Sequence, residues 1–160
     1  MARSFVCFDD SDTSENQIGF WIYDSLLQIA CRFIVERIDN NSDLSYHWLK
    51  GDIRNHIYNN SIGLFNGFMH LNLSEYLIND EKKEQFIAVI DSAKQLIANK
   101  DYLSVEELNS LRIDKSLQGE WVSPLSTKSI IKIFDWIEML IRGDLKTTLN
   151  DRTEAEFGGQ

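Results

Sequence analysis

Residues 18–38 read IGFWIYDSLLQIACRFIVERI, a long and strongly apolar stretch that neither proline nor a cluster of charges interrupts. Placed on a helix at about 100° per residue, its apolar side chains cover one broad side, as expected of a helix packed by several partners. The stretch therefore predicts a central, mostly buried helix. The side chains on that side are Ile22, Leu26, Ile29, Ala30, Phe33 and Ile34.

Two apolar side chains of the stretch, Trp21 and Val35, would fall on the polar strip of this helix. They are either covered by another segment or exposed as part of a contact surface. Cover by the chain's own N-terminus is the simpler interpretation, although folded proteins also expose many apolar atoms.

Helical spacing and capping signals recur along the rest of the chain. Ser42 or Asp43 can cap a second helix that runs to about Asn60, and Asn79 caps a clearly amphipathic helix. Residues 104–107 have the form of a capping box, which predicts a short helix to about residue 113. A last long helix ends at Gly143, a typical C-cap residue.

These patterns predict an all-α fold, a single-domain bundle of about five or six helices with a possible short N-terminal extended arm over residues 1–8. Residues 1–149 are predicted to form one helical domain, and the charged residues 150–160 a frayed tail. A chain of 160 residues is long enough to bury a core without metal or disulfides. Residues 61–78, dense in apolar side chains, could be core or a groove for a partner.

The charge balance restricts the partners. A net charge of −9 opposes direct binding to nucleic acid or to anionic membranes and favours a basic protein partner. The stretch before Asp9 is too short for a signal peptide, and no window is long and apolar enough to span a membrane. Cys7 and Cys31 have neither metal-site nor disulfide-scaffold spacing, so both are expected to be reduced thiols in the cytoplasm. The oligomeric state stays open.

No motif in the chain predicts catalysis, a metal site or a cofactor. Asp52 and His56 stand four residues apart on the predicted second helix, where a carboxylate could orient an imidazole as in a general-base pair. A surface pair is the simpler interpretation, because no nucleophile or third group accompanies it. We therefore predict that the chain is not an enzyme.

Carboxylates and one tryptophan are the candidate contacts for a basic partner. Several of these carboxylates lie near predicted helix starts, where favouring the helix dipole is the alternative role. Trp121 follows Glu120 in a loop, where it could anchor an interface or close the end of a helical bundle, and the same two roles apply to Trp48. The candidates are Asp9, Asp10, Asp12, Glu15, Asp80, Glu81, Glu84, Glu106, Glu107, Glu120 and Trp121.

The last quarter of the chain carries a family resemblance. Residues 119–126 (GEWVSPLS), the apolar helix over 130–140 and Gly143-Asp144-Leu145 resemble the C-terminal part of small bacterial immunity proteins of contact-dependent inhibition and related toxin systems. The resemblance implies one-to-one neutralisation of a cognate toxin domain, often a basic nuclease, by occlusion of its active site. The alternative is a helical adaptor or regulator that binds another host protein without catalysis.

Overall fold

The structure, a computed structural model, describes residues 2–12, 14 and 16–151. Strand β1 (Arg3–Cys7) pairs with β2 (Gly19–Tyr23), and β2 continues directly into the long helix α1 (Asp24–Asp39). A 3-10 helix (Leu44–Lys50) and α2 (Asp52–Ser61) follow. The remaining elements are α3 (Leu73–Tyr76), α4 (Asp80–Ile97), β3 (Tyr102–Leu103), α5 (Val105–Ser110), β4 (Leu125–Ser126), α6 (Thr127–Arg142) and β5 (Leu149–Asn150).

The predicted all-α fold is wrong. Over the described residues the chain forms seven helices, counting the 3-10 helix, and five strands in two sheets. The larger sheet has the order β1-β2-β5, with β1 antiparallel and β5 parallel to β2, and the smaller one pairs β3 with β4. The fold is therefore mixed α and β.

The error lies in the stretch 18–38, which is a strand followed by a helix. Phe20 and Ile22 have no exposed surface, whereas Trp21 between them is 40% exposed, so the side chains alternate between core and outside as in a strand. Aromatic and β-branched residues favour this conformation. Because this five-residue apolar run leads directly into a helical pattern, the spacing of apolar residues does not show where the strand ends and the helix begins.

Trp21 and Val35, the two apolar side chains expected on the polar strip, have different environments. Val35 is 1% exposed and belongs to the core. Trp21 lies on the outer face of the sheet, where its ring is 5.3 Å from that of Phe5 and the Arg3 guanidinium is 6.0 Å from its centroid. The N-terminal strand thus covers Trp21 only in part.

The core surrounds α1, which packs against α2, α4 and α6. Leu26, Ala30 and Ile34 on α1 have no exposed surface. The predicted cap Asn79, the capping box of Ser104 with Glu107 and the C-cap Gly143 are confirmed.

The second predicted helix is interrupted at Gly51. Asp43 caps the 3-10 helix by accepting a hydrogen bond from Ser45 N at 3.0 Å, and α2 begins after Gly51. In the undecided residues 61–78, Ser61 ends α2 and α3 is the one further helix, and the segment contains both buried and exposed apolar side chains. Met69, Leu71, Leu73 and Leu77 are buried, and Leu64, Phe68 and Ile78 are exposed.

The C-terminal strand fixes the end of the described chain. Asn150 pairs with β2, and Arg3 donates hydrogen bonds to the Asn150 side chain and, at 2.9 Å, to the carbonyl oxygen of Asp151. The Asp151 carboxylate is buried and lies 2.9 Å from Lys132 Nζ. The predicted tail thus begins with two residues that pack on the domain, and residues 152–160 lie outside the described part.

We expect Gly19→Ala to destabilise the protein by at least about 2 kcal/mol. A Cβ atom at residue 19 would lie 2.1 Å from the Val6 carbonyl oxygen, so β1 and β2 would have to separate. Urea unfolding followed by circular dichroism measures the change, with Gly119→Ala as control because nothing lies within 4 Å of a Cβ there. Equal unfolding midpoints of the two variants would contradict the β1–β2 pairing.

Candidate functional site

The loop after β1 carries three of the predicted acidic contacts. Asp9 accepts hydrogen bonds from the backbone N–H and the hydroxyl of Ser11, at 3.0 and 2.6 Å, and from Ser74 Oγ at 3.2 Å. The bonds from Ser11 lower the pKa of Asp9, so its negative charge is stabilised. Asp12 is exposed and accepts from the N–H of Ser14 at 2.9 Å. Glu15, a further candidate, lies outside the described residues.

This loop is docked on the segment that enters α3. The Asp10 carboxylate accepts a hydrogen bond from the backbone N–H of Asn72 at 2.8 Å, and Ser74 N donates to the Phe8 carbonyl oxygen at 2.9 Å. Lys83 Nζ, in the first turns of α4, lies 5.3 Å from the centroid of the Phe8 ring. The loop, α3 and the start of α4 are therefore neighbours.

Four further carboxylates lie on these neighbouring elements. Asp80 and Glu81 are exposed in the first turn of α4. Asp52, at the start of α2, and Glu75, on α3, line one shallow groove of about 220 Å³ together with Ile78, whose side chain is 67% exposed. Within the described part of the chain, none of these four carboxylates has a hydrogen bond or ion pair.

We define the acidic face as seven carboxylates of the loop, the start of α2, α3 and the first turn of α4, the elements that meet at the α3 segment. Its members are Asp9, Asp10, Asp12, Asp52, Glu75, Asp80 and Glu81. Five of them are predicted contacts. Asp52 and Glu75 were missed as contacts, because their proximity to the loop depends on how α2 and α3 pack.

The other predicted carboxylates are either ion-paired or on elements outside the acidic face, and only Glu84 among them shares α4 with it. Glu84 forms an ion pair with Arg142 at 2.8 Å, and Glu107 forms one with Lys100 at 2.6 Å. Glu106 on α5 and Glu120 in the following loop are exposed. No hydrogen bond, ion pair or cavity of the described residues joins Glu106, Glu107 or Glu120 to the acidic face.

Trp121 is a core side chain. It is 4% exposed, and the side chain of Asn109 fixes its backbone by accepting from Trp121 N at 2.8 Å and donating to Trp121 O at 3.0 Å. It lines a cavity of about 210 Å³ beside the N-terminal half of α1. Trp121 closes this side of the packing and offers almost no surface to a partner.

Asp52 and His56 are not arranged as a general-base pair. His56 Nε2 lies 2.8 Å from the His70 carbonyl oxygen. A carbonyl oxygen only accepts, so this contact requires a proton on Nε2. Burial lowers the pKa of His56, which favours the neutral ring. Its ring contacts those of His70 and Phe65, at 5.0 and 5.4 Å between centroids. Among the described residues, no hydrogen bond joins Asp52 to His56.

Metal-ligand clusters and helices that could cross a membrane are both absent from the described ranges. No group of three or more His, Cys, Asp or Glu side chains there could hold a metal ion. No helix of residues 2–12, 14 and 16–151 is long and apolar enough to cross a membrane.

Both cysteines are buried free thiols. Burial, followed by the nearby charge of Asp10, raises the pKa of Cys7 to about 12, and burial raises the pKa of Cys31. The Cys7 sulfur lies 3.4 Å from a carboxylate oxygen of Asp10, so this thiol at the end of β1 contacts the loop that carries part of the acidic face.

Comparisons of the chain with family models, with curated proteins and with solved structures find no match. The resemblance to immunity proteins therefore remains a prediction. Its residues are mainly structural in this fold, because they form the loop around Trp121, β4 and α6.

We expect the Cys7 thiol to react with iodoacetamide at pH 8 far more slowly than a free cysteine, because the thiolate is the nucleophile. A pKa raised from 9.0 to about 12 lowers its thiolate fraction roughly a thousandfold. Mass spectrometry of timed samples gives the rate, and unfolding in guanidinium should restore the free rate. Rapid alkylation of native Cys7 would contradict the described loop.

Proposed function

We propose that this chain is a non-catalytic immunity protein that binds a basic bacterial toxin domain one to one and covers its active site in the cytoplasm. The acidic face carries the proposal. It gathers seven carboxylates from four segments of the chain, and two of them line a groove together with the exposed Ile78.

Charge complementarity supports a basic partner. An enzyme that cleaves nucleic acid has a positively charged cleft, since its substrate is a polyanion. A protein that covers such a cleft gains from a surface of opposite sign, which accelerates association and discriminates against wrong partners. The net charge of −9 adds a long-range attraction for a positively charged partner.

Apolar side chains beside the carboxylates supply the second requirement of a tight interface. Charges at the rim of an interface contribute mainly to the rate of association, whereas buried aromatic and aliphatic anchors contribute most of the affinity. Ile78 is 67% exposed, and the half-buried Trp48 and Tyr76 line the groove beside it. These three side chains are the proposed anchors.

Two free thiols support the cytoplasmic location that we propose. Cys7 and Cys31 are both buried and unpaired. A reducing compartment keeps such thiols free without further protection.

The proposal is tested with the polypeptide encoded immediately upstream of this chain's gene, produced as an isolated domain. We expect this domain to arrest the growth of a bacterial host and this chain, produced with it, to restore growth. Calorimetry should give one-to-one binding, and the isolated domain should lose its activity when the complex forms. Growth arrest that persists, without heat of binding, would contradict the proposal.

The contribution of the acidic face is tested by charge reversal. We expect Asp80→Lys with Glu81→Lys to slow association with the upstream domain roughly tenfold or more at low salt, because steering is lost. Stopped-flow fluorescence at low and high salt measures the rates, and high salt should reduce the difference.

The matched control is Glu106→Lys with Glu120→Lys, which changes the net charge equally on exposed positions outside the acidic face. This pair should slow association much less. Equal slowing by the two double variants would show that net charge, and not the acidic face, attracts the partner. Circular dichroism of each variant checks that α4 and α5 remain folded.

A further inference from the structure

The groove on the acidic face has aromatic walls and a negatively charged rim. Trp48 and Tyr76 form its sides, Asp52 and Glu75 line it, and the exposed Ile78 lies at its edge. A volume of about 220 Å³ is small for a drug-sized ligand but sufficient for one long side chain.

One wall of the groove is fixed in place. The Trp48 indole N–H donates a hydrogen bond to Gln85 Oε1 at 2.6 Å, which holds the ring against α4. The Lys82 ammonium lies 4.8 Å from the centroid of the same ring, within the range of a cation–π interaction. The groove thus already holds one cationic group, and that group comes from the chain itself.

The two carboxylates of the groove are not neutralised by this lysine. Neither the Asp52 carboxylate nor that of Glu75 forms an ion pair or hydrogen bond with another described residue, and Lys82 has no carboxylate within 4.0 Å in the described part of the chain. Tyr76 lines the same groove, and burial, followed by the charges of Glu75 and Asp52, raises its pKa. Two carboxylates without a partner therefore share the groove with an aromatic ring.

We propose that this groove binds an arginine side chain of the basic partner, with the guanidinium between Asp52 and Glu75 and the methylene stem against Tyr76 and Ile78. The inference rests on the proposed function for the identity of the partner. Arginine fits better than lysine, because its planar guanidinium forms paired hydrogen bonds with carboxylates and stacks on aromatic rings.

Lys82 competes with the partner in this arrangement. Its ammonium occupies the face of Trp48 and repels a second cation in the same groove. Removal of this charge should free the ring for the guanidinium, so Lys82→Met is expected to tighten binding, whereas loss of a lysine far from the groove should tighten it much less, through net charge alone. Tighter binding by Lys82→Met could not result from misfolding of the variant.

The test is a titration of the ¹⁵N-labelled full chain with N-acetyl-L-arginine methylamide, followed by NMR. We expect saturable shifts of the Trp48 indole and of the backbone signals of Asp52 and of residues 75–78. Lys82→Met should lower the dissociation constant roughly two- to fivefold. Asp52→Asn with Glu75→Gln should raise it roughly fivefold or more. The control, Asp101→Asn with Glu106→Gln, should leave it unchanged.

Two results would overturn the inference. The first is equal shifts with N-acetyl-L-norleucine methylamide, which has no charge. The second is a dissociation constant for the arginine probe that Asp52→Asn with Glu75→Gln does not change.

Binding of the upstream domain is measured separately. If the arginine probe saturates the groove and the upstream domain does not bind, the proposed function fails, and the assignment of the groove as an arginine site stands. If that domain binds equally well to the double variant, only the groove assignment fails.

Discussion

The buried carboxylate of Asp24 ties together the first strand, the long helix and a distant loop. It accepts hydrogen bonds from Ser4 Oγ at 2.6 Å and from the backbone N–H of Gly67 at 2.5 Å, and Ser4 Oγ accepts in turn from Met69 N at 2.8 Å. Burial of a carboxylate costs several kcal/mol unless such partners compensate it. The positive end of the α1 dipole provides further compensation, because Asp24 is the first residue of that helix.

The position of the groove follows from this constraint. With residues 67–69 held against β1 and α1, the chain reaches Asn72, which has a left-handed backbone with φ of 51°, a conformation that asparagine tolerates better than most residues. There Asp10 accepts the Asn72 N–H, and Ser74 bonds to Phe8. Helix α3 is therefore fixed between the loop and α2, which places Glu75 beside Asp52.

The sequence predicts the elements whose signals are local. Asn79, the capping box at Ser104 and the glycine at residue 143 mark helix ends by short-range hydrogen bonds, so their positions can be derived from the sequence. Strand β2 could not be derived in the same way, because its five residues form a strand through pairing with β1 and β5. The two-residue strand β5 depends wholly on such pairing.

The candidate site, like the fold, can be predicted from the sequence only in part. The acidity of the loop and of the start of α4 is visible in the sequence, and Asp9, Asp10, Asp80 and Glu81 were predicted as contacts from it. The docking of the loop against the α3 segment is not visible in the sequence, because it depends on contacts such as that of Ser74 with Phe8. Trp121 shows the converse: a loop position beside a charged residue is compatible with a buried ring that closes the core.

The carboxylates of the acidic face differ in what the fold requires of them. Asp9 and Asp10 hold backbone and hydroxyl groups of the loop and of the α3 segment, so their replacement would alter the structure. Asp52 and Glu75 have no such partners. Both lie in the first turn of a helix, where a carboxylate is favourable. The fold therefore does not depend on the charges of Asp52 and Glu75, which share one groove with the ring of Trp48, and the proposed cationic partner rests on this combination.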